Sequence, residues 1–535
     1  MLTRIALVLV LLTVVSFAHG EIVYLNILHT NDIHGGIAPR EASFMNPDFP
    51  PGIGGGAWIA TYVNQVREEC LESDEHCLLI DCGDIWQGTP VGNYNSGEFM
   101  MEWMNSMDYD MMTLGNHDFD HGAENAIQKA EMTDFPVICT NFTTLDGEIP
   151  SPIVPYIFMD IDGISIAFVG VTTSDTYGLV DPELLEGYLI SSELEAVENA
   201  LEEVYAQGAE VVILVSHLGH PPDSERYTAR VYEAWDNGEE YTKDFAYNSA
   251  ELTCIVEGID LIVSGHTHVA LREPWVNPLT HTIVVQGYAN GTGIGHIRIA
   301  LDTETGSIIG YDLPDGEEYI SLLHDRFWPD MEQFELINGF REIAEAGMDE
   351  VVGEAVTEIP RGGAEHPLGR FMSDAIRVAA NADVGLLNRG GIRAAIPRGP
   401  ITPRIIYTAI PFEEDLYTLE VTGAELLEIL ETGMQGRRRD MEISGFTCNR
   451  NQAVEDGPKI EEPMINGEPL DPDAVYVLVT TGYLAQGNVG YDIMLEHDAT
   501  FVGITLLQAV TSYIRAVSPL EPDNITRIIW IDQGR

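Results

Sequence analysis

Lysine is almost missing from this 535-residue chain. It occurs only at Lys129, Lys243 and Lys459, and acidic residues outnumber basic ones by 86 to 26, which gives a formal charge of −60 at pH 7. A field of that sign repels the phosphate backbone of DNA and RNA, so the composition argues against a nucleic-acid partner. A solvated acidic surface is the simplest interpretation. The sharper hypothesis is a high-salt habitat, where dissolved ions screen so large a charge.

Long apolar runs are absent after the first 20 residues. Residues 1–20 contain Arg4, an apolar run over 5–17 and small residues near Gly20, which is the pattern of a secretory signal peptide. The run is short for a membrane span. We therefore expect a secreted or periplasmic protein without stable membrane insertion.

Cysteine is scarce, and its use leaves alternatives open. Cys70 and Cys77 flank a polar loop that a disulfide could close in an oxidising compartment, whereas Cys82, Cys139 and Cys254 lie in or beside apolar runs, as core thiols do. The sequence does not fix the pairing. Internal repeats and low-complexity tracts are also missing, so the length predicts two large domains.

What the first half of the chain does contain is a series of apolar, strand-like segments that each end in a possible metal ligand. The segments are 24–29 before Asp32 and His34, 77–81 before Asp84, 109–114 before Asn116, His117 and Asp120, 210–216 before His217, and 260–264 before His266 and His268. Helical patterns at 57–69 and 192–207 alternate with them, which predicts an α/β fold with helices on both faces of a sheet. Open α/β sheets place their chemistry beyond the carboxyl ends of the strands.

The residue types at these strand ends indicate a metal site. Imidazole, carboxylate and amide oxygen suit Zn²⁺, Mn²⁺ or Mg²⁺, and no thiol competes. Any one of these side chains alone would be interpreted as structural. Five separate strand ends that each carry one favour a common site for divalent metal.

A second composition begins after a helical pattern at 326–346. We predict a first domain over 21–325, a connecting helix or hinge over 326–347, and a second domain over 348–535. In the second domain, short β-rich runs are interleaved with helical stretches at 369–380 and 423–431.

The ordered blocks resemble a known family. Asp32-x-His34, Gly83-Asp84, Gly115-Asn116-His117-Asp118 and Gly265-His266-x-His268, with His217 between the last two, are similar to the calcineurin-like metallophosphoesterases. Residues 29–35 and 116–120 resemble, more narrowly, the secreted 5′-nucleotidase and UDP-sugar hydrolase family. The resemblance covers the whole mature chain. It implies a four-layer sandwich domain followed by a mixed α/β substrate-binding domain.

The same resemblance implies two divalent metal ions with one shared ligand. Asp32, His34, Asp84 and His268 would hold one ion, and Asp84, Asn116, His217 and His266 the other. A bridging hydroxide would then attack phosphorus. His117 would protonate or stabilise the leaving oxygen, with Asp120 fixing its tautomer. The alternative is that His117 is a more distant hydrogen-bonding group.

In the second domain, residues 388–393 (NRGGIR) combine a glycine turn with hydrogen-bond donors. They resemble the family's substrate loop, which implies contacts from Asn388, Gly391 and Arg393, and Arg361 stands at roughly the spacing of a phosphate-contacting arginine. Phe412 and Tyr483 resemble the aromatic pair that stacks on a nucleobase. Val489 departs from the pattern, because it stands where the family carries an aspartate for the ribose hydroxyls.

These observations predict a secreted phosphohydrolase that acts on a small-molecule nucleotide. The main hypothesis is phosphate release from 5′-nucleotides, with nucleoside di- and triphosphates or UDP-sugars as further substrates. One alternative is a 2′,3′-cyclic nucleotide 2′-phosphodiesterase with 3′-nucleotidase activity, which Val489 keeps open. An alternative of another class is a catalytically silent nucleotide-binding surface protein.

Overall fold

The structure is a computed structural model that describes residues 21–42, 45–46, 49–180, 182–243, 246–362, 366–411, 414–434, 441–451, 454, 457–522 and 525–531. The expected signal peptide and Phe412 lie outside the described residues. Every helix within these ranges is too short or too polar to traverse a lipid bilayer.

The first part of the chain alternates strands and helices as the sequence predicts. Its strands are β1 (Ile22–Thr30), β2 (Arg40–Glu41), β3 (Gly52–Ile53), β4 (His76–Asp81), β5 (Met111–Met112), β6 (Phe142–Thr144), β7 (Tyr156–Ile161), β8 (Ile164–Thr172), β9 (Tyr188–Ile190), β10 (Val211–His217), β11 (Leu261–Ser264), β12 (Trp275–Val276), β13 (Ile283–Gln286), β14 (Gly293–Asp302), β15 (Ser307–Asp312) and β16 (Tyr319–Ser321). Its helices are α1 (Gly56–Ser73), α2 (Pro90–Asn93), α3 (Glu98–Ser106), α4 (Ala123–Ala130), α5 (Thr176–Leu179), α6 (Glu193–Ala206), α7 (Ser224–Asp236), α8 (Ser249–Ile255) and α9 (Met331–Ala344), with short 3₁₀ turns at Tyr94–Ser96, His117–Phe119 and Pro182–Leu185.

The first domain has four layers. One sheet has the strand order β15-β14-β1-β4-β5, with β16 also pairing with β14, and the other has the order β12-β13-β11-β10-β8-β7. The inward faces of both sheets share one apolar core that includes Ile27, Ile80, Phe168 and Ile213. Helices α1, α3, α4 and α9 cover the outer face of the first sheet, and α6 and α8 cover that of the second.

The strands that carry the candidate ligands run parallel within each sheet. β1 pairs with β4, and β4 with β5, in parallel register, as do β10 and β11 in the second sheet. Their carboxyl ends therefore open on the same side of the sandwich. This geometry is why residues far apart in the sequence converge there.

The second domain is a mixed α/β unit. Its strands are β17 (Gly353–Ala355), β18 (Val384–Asn388), β19 (Gly399–Ile401), β20 (Asp415–Thr422), β21 (Met441–Ser444), β22 (Phe446–Asn451), β23 (Ile460–Ile465), β24 (Glu468–Pro469), β25 (Val475–Thr481), β26 (Thr500–Thr505) and β27 (Ile528–Ile531). Its helices are α10 (Pro367–Ala380), α11 (Pro403–Ala409), α12 (Gly423–Thr432), α13 (Gly482–Ala485) and α14 (Leu506–Val517), with 3₁₀ turns at Asn488–Gly490 and Asp492–Glu496. The central sheet has the order β21-β18-β25-β20-β26, and a smaller sheet has the order β24-β23-β22-β27.

Local sequence signals explain where several helices begin. Thr422 and Glu425 form a capping box at the start of α12, and Thr505 and Gln508 do the same for α14. In each box the threonine side chain accepts a backbone N–H that would otherwise lack a partner inside the helix. The amphipathic helix then buries one face against the central sheet, as α14 does through Val510 and Ile514.

Helix α9 packs against the first domain. The ring of Phe340 stacks on Phe99 with centroids 4.4 Å apart, and Phe334 meets Trp58 edge to face. Arg404 of the second domain forms ion pairs with Glu345 and Asp349, two residues that lie just after the helix. The two domains are thus connected through a short charged segment after α9, and the predicted hinge at 326–347 stays a prediction.

The six cysteines are free thiols in this structure. Cys70 and Cys77 are nevertheless neighbours that share a hydrogen bond, at the end of α1 and the start of β4. Burial raises the pKa of both thiols, to about 12 for Cys77, so neither is a ready nucleophile at neutral pH.

Candidate metal centre

The candidate ligands come from the ends of strands in both sheets. Asp32 and His34 follow β1, Asp84 follows β4, His217 ends β10, and His266 and His268 follow β11. Most of them have an unusual backbone, with positive φ at Asp32 (51°), His34 (50°), Asp84 (59°), His266 (91°) and His268 (55°). Non-glycine residues adopt this region rarely, although Asp, Asn and His do so more readily than others, and five such residues in one cluster indicate a backbone held by its surroundings.

The first group of ligands is compact. Ligand atoms of Asp32, His34, Asp84 and His268 all lie within 4.8 Å of one another. The Nε2 atoms of His34 and His268 are 3.1 Å apart, and Nε2 of His268 is 3.2 Å from Oδ1 of Asp32. Both carboxylates are fully buried. Oxygen and nitrogen donors at this spacing converge on one point, as around a cation.

The second group adjoins the first through Asp84. Oδ2 of Asp84 is 3.2 Å from Nε2 of His217 and 3.7 Å from Nε2 of His34, so this carboxylate faces both groups. Oδ1 of Asn116 is 3.2 Å from Nε2 of His217 and 2.9 Å from Nδ1 of His266. All seven predicted ligand residues are therefore brought together in one place.

Hydrogen bonds behind the imidazoles orient them toward the centre. Nδ1 of His34 donates to the carbonyl oxygen of Gln87 at 2.8 Å, and Nδ1 of His217 donates to that of Cys82 at 2.6 Å. Because Nδ1 is bound to a carbonyl oxygen, Nε2 is the ring nitrogen that faces the carboxylates. Metal-binding histidines in proteins are held in the same way.

The charges at the centre depend on burial and on the carboxylates. Burial lowers the pKa of His34 and of His266 to about 4 each. Burial also lowers the pKa of His217, but the charge of Asp84 outweighs it and raises the pKa to about 9. The neighbouring imidazoles likewise overcome burial at Asp32 and Asp84 and hold the pKa of both carboxyls below the usual value.

The donor set fits divalent cations. It combines two buried carboxylates, an amide oxygen and four imidazoles whose ligand atoms face one another, and no thiolate lies among them. A bound cation also explains why two carboxylates lie buried side by side. The residues of this cluster can therefore hold metal.

His117 and Asp120 stand at the edge of the cluster. Nδ1 of His117 donates to Oδ2 of Asp120 at 2.8 Å, and the His117 ring lies 5.4 Å from that of His34. Burial lowers the pKa of His117, but the charges of Asp120 and Asp84 outweigh it and raise the pKa to about 10. The imidazole is therefore a cation at neutral pH whose Nε2 can donate a proton.

A cavity of about 550 Å³ lies between the two domains, next to this pair. His117 and Asp120 line it from the first domain, and Asn388, Gly391, Arg393 and Tyr483 line it from the second. Arg361 supports the same loop, because its guanidinium donates to the carbonyl oxygen of Arg393 at 2.9 Å.

Sequence reasoning gave no role to several residues at the site. Glu414 and Asn93 both line the cavity, and the carboxylate of Asp118 is buried beside Asp84. Asp118 belongs to the Gly115-Asn116-His117-Asp118 block. Its place in that block was the sign in the sequence that it matters for the site. Glu414 and Asn93 follow no chemical motif in the sequence.

Val489 also lines the cavity, and its backbone is strained. Its φ of 52° and ψ of 32° are rare for a β-branched residue, and its side chain is 60% exposed. An isopropyl group offers no hydrogen bond to a ligand. Position 489, where the sequence has valine instead of the expected aspartate, therefore lies on the wall of the cavity.

Comparison with known proteins agrees with this geometry. Residues 25–270 match the family model described as calcineurin-like phosphoesterase, and residues 349–497 match the model described as 5′-nucleotidase, C-terminal domain. The chain contains a calcineurin-like phosphoesterase domain followed by a 5′-nucleotidase C-terminal domain. These are the domain types of metal-dependent phosphoester hydrolases that the ordered blocks predicted, so the resemblance and the fold class are confirmed.

Relatives of this phosphoesterase include proteins of similar and of greater length. It is 25% identical to a 5′-nucleotidase of Diplobatis ommata, over 98% of this chain and 93% of that protein. It is 28% identical to the endonuclease YhcR of Bacillus subtilis, over 88% of this chain. The chain spans 37% of YhcR and 32% of the trifunctional nucleotide phosphoesterase YfkN, about a third of each.

A solved structure shares the fold of the phosphoesterase. The 5′-nucleotidase precursor of Thermus thermophilus superposes with a TM-score of 0.74 and 23% identity, over 96% of this chain and all of that one. At this identity the likeness establishes the architecture of both domains.

Proposed function

We propose that the chain is a dinuclear-metal phosphohydrolase that releases phosphate from 5′-nucleotides, with nucleoside di- and triphosphates or UDP-sugars as further substrates. One observation carries the proposal. The charged His117 lies between a cluster of metal ligands and a cavity that the second domain lines with Asn388, Arg393 and Tyr483. The relatives named 5′-nucleotidase support the substrate class.

The ligand cluster would hold two ions. Asp32, His34, Asp84 and His268 would bind one, and Asp84, Asn116, His217 and His266 the other. Bound Zn²⁺, Mn²⁺ or Mg²⁺ supplies Lewis acidity to the phosphoryl group and to the attacking water. Because His217 carries a proton at neutral pH without metal, its deprotonation accompanies binding, and the affinity falls as the pH is lowered.

His117 acts on the leaving group. Asp120 holds Nδ1, so that Nε2 faces the cavity and donates its proton to the ester oxygen as the bond to phosphorus breaks. The carboxylate of Asp120 favours the charged imidazole before the transfer and keeps the ring orientation afterwards.

The second domain would bind the organic part of the substrate. Arg393 pairs with an anionic oxygen, and Arg361 holds the backbone on which it stands. A Cβ atom at Gly391 would lie 3.3 Å from Oδ1 of Asn388, so glycine keeps that amide accessible. Tyr483 offers an aromatic face to a nucleobase. The stacking role of Phe412 stays a prediction.

A second candidate activity is 2′,3′-cyclic nucleotide 2′-phosphodiesterase with 3′-nucleotidase activity. It is favoured by Val489, which presents an apolar surface where an aspartate would accept hydrogen bonds from ribose hydroxyls. Both activities use the same metal cluster and differ only in how the nucleoside lies in the cavity.

Export from the cytoplasm is part of the proposal and rests on the apolar run at residues 5–17. Edman sequencing of protein secreted by an expression host tests it. A new N-terminus near residue 21 is expected, and retention of residues 1–20 on exported protein would contradict it.

Phosphate release tests the activity. Purified protein is stripped with a chelator, reloaded with Mn²⁺, Zn²⁺ or Mg²⁺, and assayed with AMP, ADP, UDP-glucose, 3′-AMP and 2′,3′-cyclic AMP. We expect metal-dependent release from AMP. Release from 3′-AMP and the cyclic nucleotide alone would establish the second candidate, and no release from any substrate would indicate a silent nucleotide-binding protein.

A further inference from the structure

The turns after β4 and β5 approach each other unusually closely. The two strands pair only at Ile80 with Met111 and Asp81 with Met112, and the turns that follow carry Asp84 and Asn116. A Cβ atom on Gly83 would lie 2.3 Å from the nitrogen of Gly115, and one on Gly115 would lie 2.2 Å from Oδ1 of Asp84. The glycines permit this contact but do not hold it together.

The carboxylate of Asp118 bridges the two turns. Its Oδ2 accepts the N–H of Asp84 at 2.9 Å and that of Gly115 at 2.8 Å, and its Oδ1 accepts the N–H of Ile85 at 3.0 Å. The side chain is fully buried. One carboxyl group thus satisfies donors from both turns at the point where the β-ladder has ended.

The bridge is reciprocal. Oδ1 of Asp84 accepts the N–H of His117 at 2.7 Å, while the N–H of Asp84 is bound by Asp118. Asp84 is also held at a φ of 59°, which a non-glycine residue adopts only when its surroundings impose it. Hydrogen bonds to an ionised acceptor are the strongest available in a buried site. The direction of the Asp84 carboxylate between His34 and His217 follows from these bonds.

We propose that Asp118 is a positioning residue for metal: its carboxylate fixes the Asp84 turn against the Asn116–His117 turn and thereby sets the affinity of the cluster for divalent cations. The inference rests on the proposed function, since it assumes that the cluster holds ions. Asp118 itself is neither in the compact ligand group nor among the residues that line the cavity.

The competing explanation is that Asp118 merely stabilises the fold. Asp118→Asn separates the two, because asparagine keeps the size of the side chain but replaces one acceptor oxygen with an NH₂ group. That group would face either the N–H of Ile85 or those of Asp84 and Gly115. At least one donor then loses its partner and one turn shifts.

Asp110 supplies the matched control. Its Oδ2 accepts the N–H of Leu79 at 2.7 Å, so Asp110→Asn also removes a carboxylate that binds backbone of β4, but outside the metal cluster. Mn²⁺ affinity is measured by competition with a chromogenic chelator, well below the unfolding midpoint of each variant. We expect a loss of about 10- to 100-fold in Asp118→Asn and a change of less than about twofold in Asp110→Asn.

Kinetics give a second readout. In Asp118→Asn at saturating Mn²⁺, kcat for AMP should fall while KM stays within about twofold of wild type, because the second domain is unchanged. If the variant does not fold, Asp118→Glu tests the same contact, because it keeps the carboxylate but lengthens the side chain by one methylene, and a similar loss of Mn²⁺ affinity is expected. Wild-type affinity in a folded Asp118→Asn, or failing that in Asp118→Glu, would overturn the inference.

Metal binding and hydrolysis are measured separately, so the two proposals fail separately. A wild-type protein that binds Mn²⁺ but releases no phosphate refutes the proposed function alone. Phosphate release with unaltered Mn²⁺ affinity in the variants refutes the positioning role alone.

Discussion

At the scale of single residues, hydrogen-bond partners distinguish His217 from His117, both of which lie beside Asp84. His217 donates Nδ1 to a backbone carbonyl and directs Nε2 at the carboxylate, which suits a ligand. His117 donates Nδ1 to Asp120 and lines the cavity, which suits an acid. The acceptor bound by Nδ1 thus distinguishes a histidine suited to bind metal from one suited to donate a proton.

Replacing His117 should affect turnover and leave metal binding intact. We expect His117→Asn to lower kcat for AMP by about 10²- to 10⁴-fold, because proton donation to the leaving group is lost. The metal content, measured by mass spectrometry of the dialysed protein, should match wild type. His281→Asn, at an exposed position, is the control. Loss of metal together with activity would contradict the assignment and place His117 among the ligands.

Glu414 should make the stability pH-dependent. Burial raises its pKa to about 7, although the hydrogen bond from the N–H of Tyr483 acts to lower the pKa. Between about pH 4.5 and 7 the unfolded chain releases this proton while the folded chain keeps it, so stability falls as the pH rises.

The variant Glu414→Gln removes that penalty. Its unfolding midpoint should exceed that of wild type at pH 8 and differ little at pH 4.5. Glu420→Gln, at an exposed position of β20, is the control. Equal differences between Glu414→Gln and wild type at both pH values would show that the carboxyl does not titrate in this range.

The predicted ligand residues do converge, because an apolar strand followed by a polar turn is a signal that sequence carries directly. Asp118, Glu414 and Asn93 were not assigned roles, since their importance depends on contacts between turns and domains that no local pattern encodes. The roles of the predicted ligands, of His117 and of the substrate-binding residues stay predictions.

At the scale of elements, some predicted bounds match the structure closely and others do not. The helical stretch predicted at 423–431 matches α12 (Gly423–Thr432), because caps and periodicity mark its ends. The strand predicted at 109–114 contains only Met111–Met112, since the chain then turns toward Asp118 instead of extending the ladder.

A hydrogen bond links α2 of the first domain to α11 of the second. Nδ2 of Asn93 donates to the hydroxyl of Tyr407 at 2.7 Å, and both side chains are buried. A neutral hydrogen bond of this kind contributes about 1 kcal/mol, which is about fivefold in a population.

Tyr407→Phe should therefore loosen the domain contact. We expect KM for AMP to rise by about fivefold and small-angle X-ray scattering to give a larger radius of gyration. Tyr476→Phe is the matched control, because its hydroxyl binds the N–H of Asp471 within the second domain. Unchanged scattering and KM in Tyr407→Phe would mean that this bond does not hold the domains together.

At the scale of the whole molecule, the net charge is the feature that most affects how stability depends on salt. With a formal charge of −60, self-repulsion opposes folding at low ionic strength, and salt should relieve it. A relief of a few kcal/mol corresponds to about 5–10 °C in the unfolding midpoint.

Calorimetry from 0.05 to about 2 M KCl tests this expectation against sucrose of equal osmolality. A midpoint that rises in KCl and much less in sucrose is expected. An equal rise of the unfolding midpoint in KCl and in sucrose would exclude charge screening as the cause. It would also remove the argument for a high-salt habitat.

The two-domain architecture was accessible from sequence because length and the change of composition near residue 347 both indicate it. The cavity between the domains was not, since its shape depends on how α11 and the loop after β18 lie against the first domain.

The division of that cavity has an evolutionary consequence. Every candidate metal ligand and the His117–Asp120 pair belong to one domain, whereas Asn388, Arg393, Tyr483 and Val489 belong to the other. Mutations that retune which molecule is accepted can therefore accumulate in one half of the gene without endangering the chemistry encoded in the other. Such a chain can evolve to accept different substrates while its reaction stays the same.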